Sequence, residues 1–279
     1  MDNSYRVLAN IKVVTIALNL PGPLAAKRLA DLGANVMKIE PPSGDPFKHY
    51  VENWYQDMNQ GQTIITLDLK TEQGQSRLRK LLQESALLIT AQRPMALERL
   101  GLTWQDLHKH FPKLNHLEIV GYPSPNCNES GHDLTFQASL GLLSPPGMPK
   151  TLLADMVAGE QAALKALEML MAYKDARPGN KYRLALSESA KYMVQPIKYG
   201  LTSKDGLLAG SLPEYNIYET KQGWIALAAL EPHFQNNLKR AFALEMISKE
   251  SLSKLFKEKT AQEWVTIAKE HDIPLAIIR

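Results

Sequence analysis

Three side chains with acid–base chemistry stand where regular structure is expected to break: His132, Asp155 and Glu231. His132 lies in Ser130-Gly131-His132-Asp133, beside a glycine turn from which a side chain can reach a ligand. Its ordinary pKa, near ~6.5, suits proton transfer around neutrality. The plainer role for the same residue is a loop histidine that caps a helix. Asp155 stands at the expected start of a long helix, where its plainer role is an N-cap. Glu231 falls between an apolar strand and Pro232. Strand ends in α/β proteins often carry function, although a carboxylate at a helix start is also favoured by the helix dipole alone.

Other chemistries find less support. No GxGxxG follows the first expected strand, and no GxxxxGK occurs, so a standard dinucleotide or nucleoside-triphosphate loop is not indicated. HExxH and zinc-type His/Cys spacings are absent, and no metal is expected. The single cysteine, Cys127, sits in the turn-like segment 123–131 and reads as a bystander rather than a nucleophile.

The elements that must position these residues follow from periodicity. Short apolar runs at 11–16, 36–39, 63–67, 87–89 and 117–120 read as strands, the first of them buried, with a further one at 182–186. Helical spacing at 24–32, ending at Gly33, and at 72–84 separates the earlier ones. Such alternation predicts an α/β fold with a Rossmann-like parallel sheet covered by helices. A long Ala-, Leu- and Met-rich helix is expected from Asp155 to residue 172, and another from 188 to 199. Beyond that, strands at 217–220 and 224–229 around Lys221-Gln222-Gly223, helices at 234–243 and 261–270, and an apolar run at 273–278 predict a smaller α+β domain. The expected organisation is a large domain over 1–198, a linker over 199–213 and a small domain over 214–279.

With 279 residues and 44% hydrophobic side chains, the chain can bury one large core or two modest ones. Lys and Arg number 32 against 29 Asp and Glu, so neither nucleic acid nor a membrane surface is expected as a partner. The polar N-terminus and the lack of a long apolar run lead to an expectation of a cytoplasmic protein.

Read together, several segments resemble the family III CoA transferases, which include the formyl-CoA and carnitine CoA-transferases and the α-methylacyl-CoA racemases. They are Pro21-Gly22-Pro23-Leu24-Ala25, Leu29-Ala30-Asp31-Leu32-Gly33-Ala34-Asn35-Val36, Lys38-Ile39-Glu40-Pro41-Pro42, Leu67-Asp68-Leu69-Lys70-Thr71 and Leu97-Glu98-Arg99-Leu100-Gly101-Leu102. Gly131-His132-Asp133, Leu153-Ala154-Asp155 and Leu230-Glu231-Pro232-His233-Phe234 resemble the racemase branch most closely.

The resemblance implies an acyl-CoA thioester as substrate and no separate cofactor, coenzyme A being part of the substrate. It implies that His132 and Asp155 serve opposite faces of the α-carbon in a 1,1-proton transfer, with Glu231 orienting His132. A CoA transferase would instead use Asp155 as nucleophile and pass through a mixed anhydride. A member that binds CoA or a partner without turnover is the third reading. By the same resemblance Lys38 and Arg93 contact CoA, and Leu69 and Lys70 line its nucleotide end.

Two departures carry expectations of their own. Asn59-Gln60-Gly61-Gln62 replaces an arginine-containing stretch, which removes positive charge from the phosphate region. Met156-Val157-Ala158-Gly159 stands where the racemases have several glycines, and is expected to narrow the site at the acyl group. The family architecture also implies a return segment after the small domain that this sequence lacks, so a homodimer either less interlaced than usual or differently assembled is expected.

Overall fold

Runs of leucine and β-branched residues build six short parallel strands in the order β3-β2-β1-β4-β5-β6. They are β1 (Lys12–Thr15), β2 (Asn35–Glu40), β3 (Thr63–Thr66), β4 (Leu87–Thr90), β5 (Asn115–Val120) and β6 (Lys181–Ala185). The computed structural model describes residues 6–279. In register, Val13 pairs with Val36 and Leu87, and Leu117 with Ile89 and Tyr182.

Helices α1 (Pro21–Asp31), α2 (Phe47–Tyr50), α3 (Glu52–Asn59), α4 (Glu72–Gln83), α5 (Pro94–Arg99) and α6 (Trp104–His110) fill the crossovers up to β5. Next come α7 (Asp133–Ser139) and α8 (Leu153–Lys174), and after β6 α9 (Leu186–Met193) and α10 (Gln195–Lys198). Because side chains alternate across a strand, Val13, Leu87, Ile89, Leu117 and Ile119 pack with α1 and α8 on one face. Val14, Ile16 and Leu88 face the leucines of α4, α5 and α6 on the other. At Gly159 a Cβ would stand 2.6 Å from Leu24 Cδ2, so the close approach of α8 to α1 requires the glycine.

The strand order doubles back at β1, with β2 on one side and β4 on the other. In an open α/β sheet the crevice beyond the carboxyl ends of the strands at such a reversal is where ligands bind.

The described residues divide into two compact units, the first ending at Met193 and the second spanning Val194–Arg279. The division falls after Met193 rather than after residue 198. The helix expected over 188–199 is two helices interrupted at Val194, because Pro196 has no N–H to continue the ladder. The stretch read as a linker belongs to the second unit, with an irregular turn at Leu207–Ser211 tied down by Ser211 Oγ to the Gly206 carbonyl (3.0 Å).

The second unit is an antiparallel sheet of β7 (Tyr215–Glu219), β8 (Trp224–Ala228) and β9 (Leu275–Ile278) with α11 (Pro232–Phe242), α12 (Lys249–Phe256) and α13 (Ala261–Glu270). Its core gathers Ile225, Leu227, Leu238, Phe256 and Trp264. Among the described residues no helix is long and apolar enough to cross a membrane.

Candidate active site

His132 and Asp155 meet in one cavity of about 600 Å³ in the first unit. Its walls come from the segments that leave the carboxyl ends of the strands: Leu18 to Pro21 after β1, Ala91 and Arg93 after β4, Ile119 to Gly121 at the end of β5, and Leu186 after β6. This is the crevice at the reversal of strand order. Phe47, Tyr50, Leu134 and Leu152 add apolar surface.

His132 is the N-cap residue of α7 and is exposed. Its backbone N–H donates to Thr135 Oγ1 at 3.0 Å, so the helix start is closed by Thr135. The turn before it is shaped by Gly131, where a Cβ would stand 2.6 Å from the Phe136 ring and 3.0 Å from Tyr122. Phe136 is fully buried, edge-on to Tyr122 at 5.2 Å, and packs with Ala154 and Ala190. That packing sets where the histidine emerges.

Asp155 is half-buried and is not the N-cap of α8; Leu152 holds that place without a side-chain cap. Among the described residues no hydrogen bond or ion pair reaches the Asp155 carboxylate. Burial, and after it the negative charge of Asp133, raise the carboxyl to about 6, against a smaller lowering by His132. The backbone N–H of Asp155 donates to Asp133 Oδ1 at 3.1 Å, and that of Ala154 to the same oxygen at 2.7 Å. Asp133 follows His132 directly in the sequence, and its carboxylate is a site residue that sequence reasoning passed over.

Of the residues expected to contact CoA, Arg93 lines this cavity. Leu69 and Lys70 line a second one, of about 1060 Å³, together with Arg79, Lys80, Arg99 and Phe111. None of the four cations there has a carboxylate within ion-pair reach among the described residues. Helix α5 borders both spaces, with Arg93 at its N-cap facing the first and Ala96, Arg99 and Leu100 facing the second. Positive charge absent from Asn59-Gln60-Gly61-Gln62 stands instead on Lys70, Arg79, Lys80 and Arg99 around this second space. Its signal was in the sequence, in Arg77-Leu78-Arg79-Lys80 and in the Leu97-to-Leu102 segment.

Lys38 corrects the expectation placed on it. It is 0% exposed, and its ammonium lies 2.7 Å from Asp45 and 3.0 Å from Glu40. No face of it is open to a ligand, and its action on the cavity is indirect. Asp45 also accepts the N–H groups of Asn19 and Phe47, both 3.0 Å away, and these two residues line the cavity.

The narrowing expected from Met156 and Val157 is absent as well. Neither lines the cavity, and Met156 packs against a cluster that includes Leu20, Leu24 and Phe47. Glu231 belongs to the second unit, where it is the exposed N-cap residue of α11 without a side-chain cap bond. Cys127 is buried at the cavity wall, its Sγ 3.6 Å from Arg183 Nη1. Among the described residues no group of three or more His, Cys, Asp or Glu is placed to hold a metal ion.

The family model described as CoA-transferase family III matches residues 8–279. The cinnamoyl-CoA:phenyllactate CoA-transferase of Clostridium sporogenes is 28% identical over 99% of this chain and 79% of its own length. The human alpha-methylacyl-CoA racemase is 28% identical over 93% of this chain and 74% of its own. The crystal structure of Rv3272 from Mycobacterium tuberculosis superposes with a TM-score of 0.86 at 22% identity, covering 99% of this chain and 84% of that one. That structure bears on the fold.

Proposed function

The chain belongs to CoA-transferase family III, and on that premise we propose that it racemises or epimerises the α-carbon of a 2-methylacyl-CoA thioester by 1,1-proton transfer. The observation that carries this reading is the pairing of an exposed imidazole and an unpartnered, half-buried carboxyl in one largely apolar cavity. A thioester carbonyl acidifies the adjacent C–H. One group takes that proton as the electron pair moves onto the carbonyl oxygen, and the other returns a proton to the opposite face of the planar enolate. Two groups with pKa values near neutrality can each act as acid and as base. Asp155, its carboxyl raised to about 6 by burial, fits that demand, and the His132 imidazole stands on the same cavity.

The long thioester needs a second anchorage. Its phosphates call for cations and its adenine for an apolar surface, which Lys70, Arg79, Lys80, Arg99, Leu69 and Phe111 supply around the larger cavity. Arg93, at the start of α5, lies between that end and the acyl end. We place the protein in the cytoplasm as a homodimer.

A relative named as a CoA-transferase keeps a second reading in view. In that scheme Asp155 attacks the thioester carbonyl, the CoA thiolate leaves, and an aspartyl mixed anhydride forms. Incubation of a 2-methylacyl-CoA in D2O separates the two. Racemisation predicts deuterium at the α-carbon, lost in His132→Ala and in Asp155→Ala. Transfer predicts no α-deuterium, dependence on Asp155 alone, and an adduct at Asp155 trapped by hydroxylamine. Thermal stabilisation by CoA with neither reaction would identify a member that binds without turnover.

A further inference from the structure

The first turn of α8 has N–H groups with no intrahelical partner, as every helix does. Its N-cap residue is Leu152, whose side chain cannot accept a hydrogen bond. The acceptor comes instead from a distant part of the chain. Asp133 Oδ1 receives the N–H of Ala154 at 2.7 Å and that of Asp155 at 3.1 Å.

The other carboxylate oxygen is also engaged. Gln137, one turn along α7, donates from Nε2 to Asp133 Oδ2 at 2.5 Å and to the carbonyl of Thr151 at 3.0 Å. Asp133 and Gln137 are each 4% exposed. A buried carboxylate is thereby fixed at both oxygens, one peptide from His132 and bonded to the backbone of Asp155.

From this we infer that Asp133 is a positioning residue, which locks His132 and Asp155 into one geometry and holds a negative charge beside Asp155. The inference rests on the proton-transfer reading, in which two groups on separate helices must keep a fixed spacing across one carbon. Displacements of about 1 Å in such an arrangement can cost roughly 10²-fold in rate. The charge acts in the same direction as burial and keeps Asp155 less acidic than an exposed aspartate. The other titratable or charged groups on the same cavity are Arg93, Glu129, Tyr50, Cys127 and His132.

The test compares Asp133→Asn, which keeps an oxygen at the Oδ1 position and removes the charge, with Asp133→Ala, which removes both. Two readouts are needed on the full chain. One is α-proton exchange with a 2-methylacyl-CoA across pH. The other is NMR without substrate: titration of the Asp155 side-chain carboxyl and the amide shifts of Ala154 and Asp155.

Asp133→Asn is expected to keep the two amide shifts close to wild type, to move the Asp155 titration to lower pH, and to move the acid limb of kcat with it. Asp133→Ala is expected to shift both amides and to lower kcat by roughly 10²-fold, with KM changed by less than about threefold. An Asp155 titration unmoved in Asp133→Asn, or amides unmoved in Asp133→Ala, overturns the inference, whatever happens to the rate. If the wild type exchanges no α-proton, the proton-transfer reading falls, while the NMR arm still decides whether Asp133 caps and tunes Asp155.

Discussion

Two kinds of charged site lie within a few strands of each other in the first unit. On β5, Glu118 is 2% exposed and is met on both oxygens, by Lys181 Nζ and Arg183 Nε at 2.6 Å each, with His116 Nδ1 3.8 Å away. On β2, Lys38 is met by Asp45 and Glu40. Asp155, half-buried at the cavity, is met by no cation and no donor among the described residues.

The shifts follow that difference. Burial works to raise the Glu118 carboxyl, yet the hydrogen bonds from Lys181 and Arg183 outweigh it and hold the group below the usual range. At Asp155 burial dominates and the carboxyl rises to about 6. A buried charge whose partners are complete contributes to the framework, and its neighbours leave it no capacity for a ligand. A carboxyl left incomplete at a cavity wall costs stability and keeps its reactivity.

Lys38 carries the largest expected effect. Lys38→Ala leaves Asp45 and Glu40 buried without their cation, and should lower unfolding free energy by about 3–5 kcal/mol in urea titrations. A loss under about 1 kcal/mol would mean that the network is not structural.

His116 gives the next largest effect. Burial first, and then the fields of Lys181 and Arg183, hold its pKa at about 4 against an attraction to Glu118. In the unfolded chain the ring takes up a proton near ~6.5, so the unfolded state binds more protons between those values. Stability is therefore lost as pH falls from about 6.5 toward 4, by up to about 3 kcal/mol. Replacement by Asn should flatten that part of the stability–pH curve, and an unchanged slope would contradict the assignment.

Asp155 should behave with the opposite sign. Its folded pKa is raised, so the native state holds the proton more tightly than the unfolded chain between about 4 and 6. Stability falls as pH rises through that window. Asp155→Asn should be more stable than wild type at pH 7 by about 1–2 kcal/mol, with the difference gone by pH 4. Equal stability at both pH values would place Asp155 with the completed sites.

The smallest effects belong to the exposed cations of the second cavity. Lys70→Ala and Arg99→Ala should each weaken CoA binding by about 1 kcal/mol, roughly fivefold, and less at high salt. Isothermal titration at two ionic strengths checks this.

The sequence carried the sheet because six short apolar runs and the helices between them have patterns that survive without tertiary information, even at β3, which is largely exposed. The strands expected at 11–16, 36–39, 63–67, 87–89, 117–120 and 182–186 are β1 to β6 with small changes at their ends. Short helices such as α5, α7 and α12 were not legible, since one or two turns give no period to count.

His132 and Asp155 could be named from residue type and resemblance, and the fold brings them to one cavity. The misreading of Lys38 has a physical origin. Pattern marks a lysine as a cation, but only the fold places Asp45 and Glu40 around it. Asp133 was hidden for the same reason, because a cap supplied from 21 residues away leaves no local motif.

The most direct test of the account follows each enantiomer separately. Pure 2R- and 2S-2-methylacyl-CoA are incubated in D2O with wild type, His132→Ala and Asp155→Asn, and both α-deuterium and configuration are measured. Wild type should label and invert both enantiomers, while each variant loses inversion by roughly 10³-fold or more. Wild-type protein that leaves both enantiomers unlabelled and uninverted, or variants that still invert at the wild-type rate, would contradict the account.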